Sequence, residues 1–143
     1  LLIQFMKQYT NKIEILSSGI KIQNITKLVE KKVHQSKIKN GLLNLSILNT
    51  TASIVVQENA DPDVMKDIEV FFKNLVPMNG NYNHSIEGQD DMPAHIKSVL
   101  TNSNITLSVI DGVIQLGVWQ GIYLFEHREV KKKRIIFLHI MGN

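Results

Sequence analysis

Between Ile105 and Met141 four β-rich stretches follow one another with no helix-length gap: Ile105 to Ile110, Val113 to Leu116, Val118 to His127, and Arg134 to Met141. Asp111-Gly112 alone separates the first two. A two-residue Asp-Gly link between β-rich runs marks a hairpin, because both residues tolerate the positive φ that a tight type I′ turn requires. Strands joined so closely pair antiparallel, since a parallel crossover needs a dozen or more residues. This half of the chain therefore has to build sheet.

The first half adds further strands at Lys12 to Leu16, Leu42 to Leu48 and Ser53 to Gln57, and it supplies the helices. Ile25, Leu28, Val29 and Val33 fall at helical spacing, in a helix that ends before Asn40-Gly41. A better-marked helix begins at Asp61, which can cap it, with Pro62 at its first position and Asp63 near its positive end. Val64, Ile68, Phe71, Phe72 and Leu75 then predict one buried stripe, and Pro77 ends the run. A short third helix is expected from about Met92 to Leu100, with Asp90 or Asp91 as its cap. The class is α+β: a compact single domain over residues 1–143, with mainly antiparallel or mixed sheets packed with two to three helices. At 143 residues the chain has one domain's length and can bury about two thirds of its unfolded surface.

Composition excludes several chemistries. Cysteine is absent, so disulfides, thiolate metal sites and cysteine nucleophiles are ruled out, and a metal would need His, Asp or Glu. The net charge is only +3, and the dense basic run Arg128 to Arg134 reads as a solvated turn between strands. Nucleic-acid binding through Lys131, Lys132, Lys133 and Arg134 is not expected, because no aromatic platform is interleaved with them. No apolar stretch approaches the roughly 20 residues of a membrane helix. Leu1 to Lys7 is too short and lacks a basic lead and cleavage site, so a cytoplasmic protein is expected. The Gly-rich phosphate loop, His-Glu-x-x-His and Gly-x-Ser-x-Gly are all missing.

Four segments concentrate polar groups. Asn49-Thr50-Thr51-Ala52-Ser53, if extended, points Asn49, Thr51 and Ser53 to one side, offering amide and hydroxyl groups to an anion or sugar. The structural alternative is a Thr/Ser-rich strand face or a bend. In Glu58-Asn59-Ala60-Asp61-Pro62-Asp63 the later acids serve the helix start, while Glu58 and Asn59 are freer to serve a site. The polar stretch from Met78 to Gln89 runs into Asp90-Asp91-Met92-Pro93-Ala94-His95-Ile96-Lys97. Asp91 and His95, four residues apart, share a helix face if Asp91 is already helical. The helix start disfavours a charged imidazole and so keeps His95 neutral, the form that binds a metal or accepts a proton. In the last segment, Gly117 to Arg128, parity puts Trp119, Tyr123, Phe125 and His127 on one side and Gln120, Glu126 and Arg128 on the other. Only a bulge could bring Glu126, His127 and Arg128 into one pocket. Trp119 and Tyr123 are expected in the core, and His34 and His139 are expected to be structural.

Asn49 to Ser53, Asn59 to Val64, Asp90 to Lys97, and Gly117 to Tyr123 followed by Glu126-His127-Arg128 resemble, in this order, the YjbQ family, also known as uncharacterised protein family 0047. The resemblance implies a compact α+β fold, a homotrimer, a weak secondary thiamine-phosphate synthase activity and a metal ion at a histidine-rich site. It implies His84, His95 and His127 as site positions, with Asp91, Glu126 and Arg128 around them. One departure is Asn49, where the family usually has His. An amide binds transition metals poorly and cannot act as a base near neutral pH.

The expectation is an enzyme-like trimer that binds a phosphorylated small molecule. His84, His95, His127 and Asp91 would hold a zinc-like divalent metal. His95, His127 and Glu126 would do acid/base work, and Arg128, Lys97, Asn49, Thr51 and Ser53 would contact substrate. The alternative is a non-catalytic binding or assembly module using the same pocket.

Overall fold

A computed structural model describes residues 5–143; Leu1 to Gln4, where the leader was sought, lie outside the described residues. The elements are β1 (Lys7–Ser18), β2 (Lys21–Asn24), α1 (Thr26–Ser36), β3 (Gly41–Ile47), β4 (Ala52–Glu58), α2 (Pro62–Leu75), α3 (Asp91–Leu100), β5 (Asn104–Ile110), β6 (Val113–Ile114), β7 (Gln120–Glu126) and β8 (Lys131–Gly142). Every strand pairing is antiparallel. A five-stranded sheet has the order β1-β8-β3-β5-β6, and a three-stranded sheet the order β2-β7-β4. The α+β class read from the sequence is the class observed. Asp111 and Gly112 both take positive φ, at 52° and 77°, so the hairpin between β5 and β6 forms where the Asp-Gly pair places it.

The two sheets share one hydrophobic core. Ile13 and Ile15 of β1, Leu43, Leu45 and Ile47 of β3, and Ile136, Leu138 and Ile140 of β8 face inward from the larger sheet; Ala52, Ile54, Ile122 and Leu124 face them from the smaller. Helix α1 closes one side with Val29 and Val33, preceded by the buried Ile25. At the end of the larger sheet Gly41 lies opposite Gly142, so close that a Cβ on Gly41 would stand 2.1 Å from the carbonyl oxygen of Met141.

Three local expectations are corrected. Helix α2 begins as expected, with Asp61 accepting from the Asp63 amide at 2.9 Å and Pro62 at the first position. Its apolar stripe, however, is not buried: no residue of α2 is, and Phe71 and Leu75 are 58% and 53% exposed. The helix lies over the narrow three-stranded sheet, which it meets through β2 and through an edge-on contact of Phe72 with Phe125, so half its stripe overhangs. Trp119 precedes β7 and is exposed, whereas Tyr123 is buried and donates its hydroxyl hydrogen to the Glu58 carbonyl at 2.8 Å. The run Arg128 to Arg134 is not simply a solvated turn, because both of its arginines are buried.

Candidate functional site

Helix α3 sets the site. Pairing of β7 ends at Glu126, and the chain then turns past Asp90, which occupies the N-cap position of α3. Asp90 does not cap the helix through its side chain. Its Oδ2 instead accepts from Arg128 Nε at 2.8 Å and from the Glu129 amide at 2.9 Å. Arg128 Nη1 donates to Asp91 Oδ1 at 2.5 Å, and Nη2 to the Glu87 carbonyl at 3.0 Å. Arg128, at 5% exposure, is thus spread across three acceptors that flank the start of α3. Burial by itself would raise both aspartates; the hydrogen bonds of Arg128 and the Glu129 amide with the Arg128 charge at Asp90, and the His84 hydrogen bond followed by the Arg128 charge at Asp91, outweigh it and hold both below the usual carboxylate range.

The second oxygen of Asp91 faces two imidazoles. His84 Nε2 lies 2.6 Å from Asp91 Oδ2, and His95 Nε2 lies 3.3 Å from it. His95 arrives from one helical turn on, as the four-residue spacing predicts, and His84 from the polar loop before α3. The rings stand edge to face, their centroids 5.6 Å apart. The three ligand atoms lie within 4.8 Å of one another, with the carboxylate buried and both rings part-exposed. Two imidazoles and one ionised carboxylate, anchored by a buried arginine and open to solvent on the ring side, are a donor set that could hold a metal ion. Placing Asp91 within reach of His95, and His84 beside both, is the part of the expected cluster that the fold brings together.

His127 is not in that group. Its side chain is wholly buried against Phe125, with ring centroids 4.3 Å apart, and its Nε2 lies 2.8 Å from Ser53 Oγ. Ser53 Oγ is in turn in short contact with Thr101 Oγ1, which donates to the Lys97 carbonyl at 2.8 Å. Among the described residues His127 Nδ1 has no partner. Burial, reinforced by the charges of Lys97 and Arg134, pushes the His127 pKa down to about 3. Between the ordinary pKa of about 6.5 and this value the unfolded chain binds a proton that the folded chain refuses. Stability therefore falls as pH falls through that window, by about 1.4 kcal/mol per pH unit at most. Urea midpoints measured from pH 6 to pH 4 should flatten in His127→Gln by about that slope; an identical slope in both proteins would remove His127 as its source.

Glu126 is also taken elsewhere. Its two oxygens receive Arg134 Nε at 2.6 Å and Nη2 at 2.5 Å, and Oε1 further accepts the amides of His127 and Arg128, both at 3.0 Å. Arg134 also binds the hydroxyl and carbonyl oxygens of Thr51 at 2.9 and 3.2 Å. Residues 48–51 form a bend, not a strand, so Asn49, Thr51 and Ser53 do not make a common row. Asn49 Oδ1 closes that bend by accepting from the amides of Thr51 and Ala52, and its Nδ2 is buried without a partner among the described residues. Asn59 is used by β7, donating to the carbonyls of Val118 and Gln120. His34 is exposed, and His139 lies beside Gln8 at 2.9 Å, away from the cluster.

Sequence reasoning missed Arg134. A signal existed: it shares parity with Ile136, Leu138 and Ile140, the inward positions of β8.

The fold and its site define a class: a small two-sheet α+β protein carrying an Asp-centred histidine pair, clamped from behind by a buried arginine. The chain belongs to the YjbQ family, since the sequence model described as "UPF0047 protein YjbQ-like" matches residues 11–143. It is 40% identical over 137 residues to a UPF0047 protein of Synechocystis sp., covering 95% of this chain and 93% of that one. To UPF0047 protein YjbQ of Escherichia coli O157:H7 it is 47% identical over 106 residues, 74% of this chain and 77% of that one. Among solved structures, a YbjQ-like protein of unknown function from Sulfolobus solfataricus superposes with a TM-score of 0.90 at 27% identity, covering 97% and 100% of the two chains. A yjbq/upf0047 family protein from Clostridium acetobutylicum does so at 0.79 and 36%, covering 94% and 98%.

Proposed function

We propose that this chain is a metal-dependent enzyme acting on a phosphorylated small molecule, with a divalent ion held by His84, Asp91 and His95. The observation that carries the reading is the triad itself, three metal-competent atoms gathered on one accessible edge from a loop and a helix start. A divalent ion there supplies positive charge to a phosphate or to a departing pyrophosphate. The protein's own part is orientation: Arg128 fixes the Asp91 carboxylate, and the loop carrying His84 completes the set. The reaction inferred from the family resemblance is thiamine-phosphate-synthase-like, joining a pyrimidine diphosphate to a thiazole phosphate with release of pyrophosphate. The working form is taken to be a cytoplasmic homotrimer. Exposed apolar side chains at Phe71, Leu75, Val99 and Trp119 support self-association, and no helix is long and apolar enough to cross a membrane among the described residues.

The test uses untagged, metal-stripped protein titrated with zinc, with mass measured by light scattering. Wild type should bind one ion per chain at a mass of three chains. His84→Ala and His95→Ala should each weaken binding at least 100-fold while remaining folded. Unchanged zinc affinity in either variant would overturn the assignment. A second reading, metal or ligand binding without turnover, is favoured by the way Glu126 is sealed in an ion pair and is thereby removed from acid/base work. Bound metal with no thiamine phosphate formed from the two precursors would select it.

A further inference from the structure

Three cations are fully buried among the described residues: Arg128, Arg134 and Lys97. The two arginines are paired with carboxylates. Lys97, at 3% exposure, has no hydrogen bond or ion pair at its ammonium group among the described residues. Its ammonium is not sealed from water: it opens onto the cavity that Lys97 lines, where an entering anion would meet it.

Lys97 lines a cavity of about 580 Å³, within the range of small-molecule sites. The cavity runs between α2 and the small sheet. Phe72, Phe125, Val76 and Ile20 give it apolar walls, with the two phenyl rings edge to face at 5.4 Å. The carboxylates nearby are accounted for: Glu69 Oε1 accepts the Ile22 amide at 2.9 Å, Asp90 is held by Arg128, and Glu129 is solvated at the exposed rim. What remains is a slot with apolar walls and two lysines, exposed Lys73 from α2 and buried Lys97 from α3.

We infer that this cavity is the binding site for a small organic anion, its apolar body against the paired rings of Phe72 and Phe125 and its phosphate or carboxylate on the Lys97 ammonium. Lys97 follows His95 by two residues on α3, and Gln89, which also lines the slot, precedes Asp90-Asp91, so the slot adjoins the metal triad in the chain. The inference deepens the proposed function and rests on it in one respect, that an anionic small molecule is the substrate.

The test is amide chemical-shift titration of the metal-free full chain with three probes: phenyl phosphate, benzoate and phenol. At least one of the two anions should shift the amides of Phe72, Val76, Lys97 and Phe125 saturably, at least tenfold more tightly than phenol. The tighter of the two identifies phosphate or carboxylate as the preferred head group. Lys97→Met should weaken the anion at least tenfold and leave phenol unchanged. The double variant His84→Ala/His95→Ala should keep anion binding, so that failure of the metal assignment and failure of this one are read separately. Equal affinity for phenol and both anions, shifts confined to other surfaces, or loss of binding in the folded double histidine variant would each overturn the site. The wild-type comparison decides the matter even if Lys97→Met does not fold.

Discussion

Arg134→Met is expected to lower the unfolding free energy by about 3–5 kcal/mol, the cost of leaving a buried carboxylate without its ion partner. Glu126 is 1% exposed, and the guanidinium that meets both its oxygens also holds Thr51 at the end of the β3–β4 bend. Removing it therefore strips one charge pair and one tie between the two sheets. The change would be read as a drop in urea midpoint at constant m-value. Glu126→Gln/Arg134→Met should recover part of the loss, because the neutral amide still accepts from the amides of His127 and Arg128. Zinc affinity should be unaffected in both, since neither residue belongs to the triad. A cost below about 1 kcal/mol for Arg134→Met would mean the pair is not the structural tie inferred from its geometry.

Asp91→Asn should abolish metal-dependent stabilisation. The carboxylate is shared between the two imidazoles on one oxygen and Arg128 on the other, so its charge serves both the ion and the clamp. In wild type, zinc at 100 times its Kd adds about 2.7 kcal/mol by mass action, which moves Tm by on the order of 10 °C. The amide keeps the shape but loses the anionic oxygen that hard and borderline cations prefer, and zinc should then leave Tm unchanged. A full thermal shift in Asp91→Asn would place the ion elsewhere. Arg128 retains Asp90 in the variant, so the fold should survive for the comparison to be made.

The same site shows why local sequence reading reaches some residues and not others. Asp91 and His95 were legible because four-residue helical spacing is a property of the backbone alone. His84 came into view only as a histidine in a polar loop; its distance from Asp91 depends on how residues 85–90 fold back. His127 misled for the opposite reason. Family pattern and residue type both suggested a ligand, but β7 is the central strand of its sheet and is buried on both faces, so the side chain enters the interior and meets Ser53 and Phe125. The expected stripe of α2 has the right period and the wrong depth. Periodicity shows which side of a helix faces the protein, not how wide a sheet lies beneath it.

What the amino-acid order determined by itself is everything set within a few residues: the antiparallel run from Ile105 onward, the Asp111-Gly112 turn, the Asp61-Pro62 helix start and the shared face of Asp91 and His95. These follow from backbone sterics and side-chain period, which act at short range. Partner choice among charged and polar groups was decided only in three dimensions. Arg128 took Asp90 and Asp91, Arg134 took Glu126, and Lys97 pairs with no acid among the described residues. Those assignments depend on which strands end beside which helix, and on the cost of burying each charge where it lands.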